Sequence, residues 1–242
     1  MSKDFKKKCS YIWDYYKIHI AVVIFIIIVV FNLISNFLTK KTPALYVAPM
    51  NISINESSTN FFTKKFKETT DLKSNESIEL QNSIKITDGL SKDAKKTNAS
   101  NIAKQNKNST EDTESLYQIN YNGQMKTMTM SHSKTMDIVI MDKDAFCSMA
   151  NNGFLCDIDE VLSSNLPKEY SSLKKHIVSS KEVDTFDGKF CNMKCGLAVD
   201  GLNKHFKESK NNSTLYIGII CTSKHKKNAA KYIDYIINSS TK

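Results

Sequence analysis

Carboxylates crowd the stretch MDIVIMDKDAFCSMANNGFLCDIDEVL, residues 136 to 162. Asp142 and Asp144 follow an apolar run, and Asp157, Asp159 and Glu160 follow a glycine. Acids placed this way can transfer protons, accept a phosphoryl group at a strand end, or hold a hard cation. Each of these chemistries demands neighbours that are missing here. A phosphoryl-accepting Asp142 needs further acids to hold a divalent cation beside it, and no acidic pair stands at the first strand. A calcium loop needs a third oxygen ligand and then a glycine, where Phe146 and Cys147 stand. The remaining role for Asp142 and Asp144 is a helix N-terminus, where negative charge offsets the macrodipole.

The thiols and glycines lead to the same conclusion. Cys191 and Cys195 are spaced C-x3-C, not the C-x-x-C of zinc or redox sites, with only His205 near them in sequence. On an extended strand their side chains stand about 13 Å apart, too far to bond. With Cys147, Cys156 and Cys221 they are expected to be buried free thiols or to include one pair. Gly196 and Gly201 have the spacing of a phosphate loop, but Leu202 and Asn203 occupy the positions of its Lys and Ser/Thr. No G-x-G-x-x-G, G-x-S-x-G or H-E-x-x-H occurs. No catalytic, cofactor or metal residue is therefore assigned, and the ligand-binding residues stay unknown.

The 242-residue chain is 40% hydrophobic, enough for a packed core, and carries a net charge of +9. All 34 of its basic residues are lysine. Without arginine, the bidentate reader of guanine and phosphate, the excess reads as a solvated surface and no nucleic-acid partner is expected. Ile18 to Leu38 reads IHIAVVIFIIIVVFNLISNFL, which at about 1.5 Å per residue spans roughly 30 Å, a bilayer's hydrocarbon thickness. Trp13, Tyr15 and Tyr16 precede it as an interfacial belt. Lys3, Lys6, Lys7, Lys8 and Lys17 lie before the span, and only Lys40 and Lys41 closely follow it. The positive-inside bias therefore predicts a cytoplasmic N-terminus (1–17), an uncleaved anchor in the cell membrane (18–38) and an extracytoplasmic domain (43–242).

Within that domain, periodicity predicts a first strand over 43–54 and a helix over 60–70. A polar insertion follows at about 87–114, with IELQNSIKI (78–86) strand-like just before it. Further on, the pattern gives a helix over 116–131 with Met125, Met128 and Met130 on its face. It then gives a buried strand over 136–141, a helix over 142–151 stopped by Gly153, and an extended or helical piece over 155–162. A helical piece at 168–176 and strands at 190–200 and 215–221 precede a last helix, capped by Ser223 and running to about Asn238. Ala229, Ala230, Ile233, Ile236 and Ile237 are its inward face. The alternation of helix and buried strand implies an α/β fold with a largely parallel sheet.

Several motifs in this order resemble the extracellular solute-binding proteins of bacterial ABC importers, over roughly residues 115–240. QMKTMTM followed by MDIVIMDKDAFCSMANNGFLCDIDEVL is similar to their helix, strand, helix and "G-x-L-x-D-L-x-x-x-L" series. DGKFCNMKCGLAV resembles the "DGK-x-Y-G-I-P" crossing segment, and YIGIICTSKHKKNAAKYIDYI the closing strand and helix. The resemblance implies a periplasmic-binding-protein-like lobe of type II that holds ligands at the carboxyl ends of its strands, near Asp142 and Lys143. Where that family carries a second lobe, this chain has only Asp200 to Thr214. The expected function is a non-enzymatic interaction role for one degenerate lobe on a transmembrane anchor, with the lipid bilayer and another membrane or envelope protein as partners. The alternative is capture of a small solute or peptide for a transporter or sensor.

Overall fold

The computed structural model describes residues 3–39, 41–86, 110–183, 190, 192–207 and 214–240. The chain forms two compact units, Met1–Thr42 and Pro43–Lys242. The first holds helix α1, Lys3–Thr39. Within it Tyr15–Ser35, 21 residues, is long and apolar enough to cross a membrane, and none of it is buried. Asn32 spends its amide on the Ile28 carbonyl one turn back, so the polar residue in the apolar run is satisfied inside the helix. An exposed apolar N-terminal helix has the form of a signal sequence or a membrane anchor.

The second unit is α/β. Its strands are β1 (Thr42–Met50), β2 (Glu76–Leu80), β3 (Ile138–Met141), β4 (Ile177–Ser179), β5 (Lys194–Val199) and β6 (Leu215–Ile219). They form one six-stranded sheet in the order β2-β1-β3-β6-β5-β4. The sheet is mixed, which corrects the largely parallel expectation. β1 and β3 run parallel, with Val47 opposite Ile138 and Met50 opposite Met141. β6 runs antiparallel to both β3 and β5, and β4 antiparallel to β5. The connections explain the difference. Between β1 and β3 lie α2 (Phe66–Thr69) and the long helix α3 (Thr110–Ser133), which return the chain to the same end of the sheet. Between β5 and β6 the described residues hold only a 3-10 turn, Leu202–His205, and antiparallel neighbours accept such a return.

Both sheet faces are covered, so β3 is buried throughout. Ile138 and Ile140 point into one core with Phe62, Phe66, Tyr232 and Ile233. Val139 and Met141 point into the other with Met136, Phe146 and Met149. The first core is roofed by α5 (Ile158–Asn165) and α8 (Lys226–Ser240), the second by α4 (Lys143–Asn151) and α3. Single-turn helices α6 (Tyr170–Leu173) and α7 (Ser180–Val183) complete the layers. The inward face expected for α8 is buried, Ala229 to Ile237 included. Gly153 ends α4 at φ +71°, the left-handed stop its position implied.

α3 turns Gly123, Thr127, Met130 and Ser131 inward, while Met125 and Met128 of its methionine face are 46% and 44% exposed. Gly123 selects that face, because a Cβ there would collide with the Lys85 carbonyl oxygen. Ser223 is not the cap of α8, which begins at Lys226; its hydroxyl instead accepts the His225 N–H at 3.1 Å. The insertion through residue 109, Cys191 and the DGK of the crossing segment lie outside the described residues.

Candidate functional site

The chain leaves β1 toward β2 on one side, while β3 lies on the other. The crevice beyond the carboxyl ends of β1 and β3 is where open α/β sheets bind ligands. Here that crevice is bridged by the chain itself. Asn51, just past β1, adopts φ +59°, which asparagine tolerates better than most residues. Its amide donates to the Ile86 carbonyl at 2.6 Å and accepts the Ile86 N–H at 2.7 Å. The same amide nitrogen donates to Asp142 Oδ1 at 3.0 Å, and its own backbone N–H bonds Ile84 at 2.9 Å. Asp142 Oδ1 also accepts the Ala145 N–H at 2.9 Å, as the N-cap of α4. Burial raises the Asp142 pKa against the pull of these bonds. Asp144 lies in the first turn of α4 and is exposed, as is Lys143.

The second acidic group is also framework. Asp157 caps α5, accepting the Asp159 and Glu160 N–H groups at 3.0 and 3.2 Å. Asp159 accepts the Tyr170 hydroxyl at 2.6 Å, and Glu160 is exposed. The structure therefore divides the five acids between two helix starts. Cys147, Cys156 and Cys195 are buried free thiols, while Cys221 is free and exposed. Burial pushes Cys156 and Cys195 up to about 12, which leaves them protonated and unreactive at neutral pH. Among the described residues no cluster of His, Cys, Asp or Glu is arranged to hold a metal. Gly196 sits inside β5 against the Phe146 ring, and Gly201 turns the chain at φ +80°, so they build no phosphate loop.

Two polar constellations escaped sequence reasoning. Asp137, fully buried at the foot of β3, accepts the Tyr46 N–H at 2.9 Å, the Ser223 hydroxyl at 2.6 Å and His225 Nδ1 at 2.9 Å. Serine, histidine and aspartate meet here without forming a nucleophile relay. A relay needs the serine to pass its proton to the imidazole, and Ser223 gives its proton to Asp137 instead. The one signal for this node was an acid directly before the apolar run, answered by the S-x-H of SKH. The second constellation is His205, stacked on Phe61 at 4.2 Å between centroids, with Nδ1 bonded to Ser58 Oγ at 2.9 Å. Its Nε2 is buried without a partner among the described residues. Burial, then Lys204 and Lys65, lowers its pKa.

This chain matched no family of proteins, no curated protein and no solved structure.

Proposed function

We propose that the protein is a membrane-anchored, non-enzymatic interaction module, its N-terminus cytoplasmic and its α/β unit displayed outside the cell on α1. The order of motifs and the β2-β1-β3 switch point support a solute-binding-protein-like lobe that has lost its second lobe. The observation that carries the interaction reading is the bridged crevice. Asn51, Ile86 and Asp142 satisfy one another where a captured solute would sit. A ligand entering there must break these bonds and desolvate a carboxylate that burial already penalises. Catalysis has no support at either helix cap, because the acids are committed to backbone donors.

The surface offered to a partner is the outer face of α3, where Tyr121, Met125 and Met128 stand at i, i+4 and i+7 and are 53%, 46% and 44% exposed. Methionine adapts to varied partner surfaces, and tyrosine supplies a rigid contact. The test is a photo-crosslinking side chain at Met125, with a control at exposed Lys175, in intact cells. A discrete adduct from position 125 and none from 175 is expected. Equal yields at both, or no adduct from 121, 125 or 128, contradict the reading.

A further inference from the structure

A groove lies along α8, away from the crevice, and its charge is divided between its ends. A larger cavity of about 460 Å³ and a smaller one of about 210 Å³ share Thr70, Asp71 and Lys231, so they adjoin. Together they have the size of an ordinary small-ligand site. Lys227, Lys231, Asp234 and Asn238 fall at i, i+4, i+7 and i+11, a single helical stripe that lines the groove from end to end. The smaller cavity sets Lys73, Lys227 and Lys231 against Asp71 and Glu76, and Glu76 already accepts the Lys73 N–H at 2.9 Å. The larger sets Glu169, Asp234 and Asp71 against Lys231 alone. One end is basic, the other acidic.

Folding does not account for this arrangement. A helix favours acids in its first turn and bases in its last, whereas α8 has no acid in the first and no base in the last. Lys227 stands near its positive end. Among the described residues Lys227, Lys231, Asp71 and Glu169 form no ion pair. Asp234 and Glu169 both line the acidic end, where Asp234 accepts the Asn238 amide at 2.9 Å, and a cation there would relieve the burial and the Glu169 charge that raise the Asp234 pKa. Tyr235 and Leu166 supply an apolar wall in the larger cavity, as Phe66 and Leu72 do in the smaller.

We propose that this groove binds short peptides with both ends free, the ammonium between Asp234 and Glu169 and the carboxylate at Lys227 and Lys231. The length follows from helix geometry. Lys227 and Asp234 are separated by about 10 Å of rise, and an extended tripeptide spans about the same distance at roughly 3.3 Å per residue. A free amino acid is too short to reach from Asp234 to Lys227, and a blocked peptide lacks the charges that either end recognises. The proposal stands on this groove alone and does not rest on the interaction reading above.

The test is calorimetric titration of the full chain in detergent micelles with Gly-Leu-Gly and Gly-Phe-Gly. Each peptide is also used N-acetylated and C-amidated. At least one free peptide is expected to bind 1:1 with a Kd at or below about 1 mM, and blocking either end to weaken it about tenfold or more. Lys231→Gln should mimic amidation and Asp234→Asn acetylation, each costing little once the matching end is blocked. No binding by either free peptide up to about 10 mM overturns the proposal. So does binding that survives both blocks, which needs no variant to interpret.

Discussion

Asp142 serves two donors at once, the Ala145 N–H and the Asn51 amide, so two substitutions separate its cap from its charge. Asp142→Ala removes the cap, at about 1 kcal/mol, or roughly 2–4 °C in Tm for a domain of this size. Asp142→Asn keeps an acceptor for both donors and removes the charge that burial disfavours. Because the folded pKa lies above 3.8, this carboxylate weakens the fold above that raised value and stops doing so as pH falls through the window. Asp142→Asn should therefore match or exceed the parent's Tm at pH 7, with the gain vanishing in acid. His205 has the opposite sign. Its folded pKa is depressed below 6.5, so the unfolded chain takes up the proton first. Its contribution is complete above 6.5 and is lost as pH falls toward and through the folded value. Thermal melts from pH 7.5 to 5 should show that loss in the parent and a flatter profile in His205→Gln. An equal slope in the variant would remove His205 as the cause.

Three elements meet at Asp137: β1 through the Tyr46 N–H, β3 by its own backbone, and the entry to α8 through Ser223 and His225. Asp137→Ala leaves all three donors without their acceptor in a buried site and should cost roughly 3 kcal/mol or more. Ser223→Ala removes one of the three donors to Asp137, together with the acceptor of the His225 N–H, and should cost about 1–2 kcal/mol. Denaturant unfolding that ranks these two equal would show that the node does not join the elements. Little of this was legible beforehand, because an acid that opens a strand looks the same in sequence whether it faces water or a histidine at the entry to a distant helix. The strands and helices themselves were legible wherever apolar contiguity or helical spacing was strong: β3 from IVIM, α8 from its alanines and isoleucines, α4 from Asp142 and Gly153. Strand direction was not, since an apolar run reads the same both ways and only the connection between strands decides it. The inward face of α3 was not legible either, since it is set by Gly123, whose missing side chain lets the helix close on Lys85.

For the molecule as a whole, the account rests on an anchored unit that meets its partners through its surface. On the proposed topology, which follows from the lysine excess before the apolar span that starts at Ile18, Ser2 is expected inside the cell and Ser91 outside. With Cys191→Ser and Cys221→Ser as background, an impermeant maleimide on intact cells should label Ser91→Cys and spare Ser2→Cys, and the reverse pattern would invert the topology. The central claim is that the crevice between β1 and β3 belongs to the chain's own Asn51, Ile86 and Asp142, and not to a captured solute. A lobe without its opposing half buries only part of a ligand's surface, so affinity at that position is expected to be no better than about millimolar. Weak peptide binding along α8 is compatible with this, because it answers to Lys231 and Asp234. The direct measurement is a calorimetric screen of the detergent-solubilised chain against sugars, amino acids, peptides and metal ions, repeated on Asn51→Ala and Asp142→Ala. The account predicts no 1:1 ligand with a Kd below about 10 μM that depends on either residue. One such ligand, lost in both variants, would contradict it and restore solute capture.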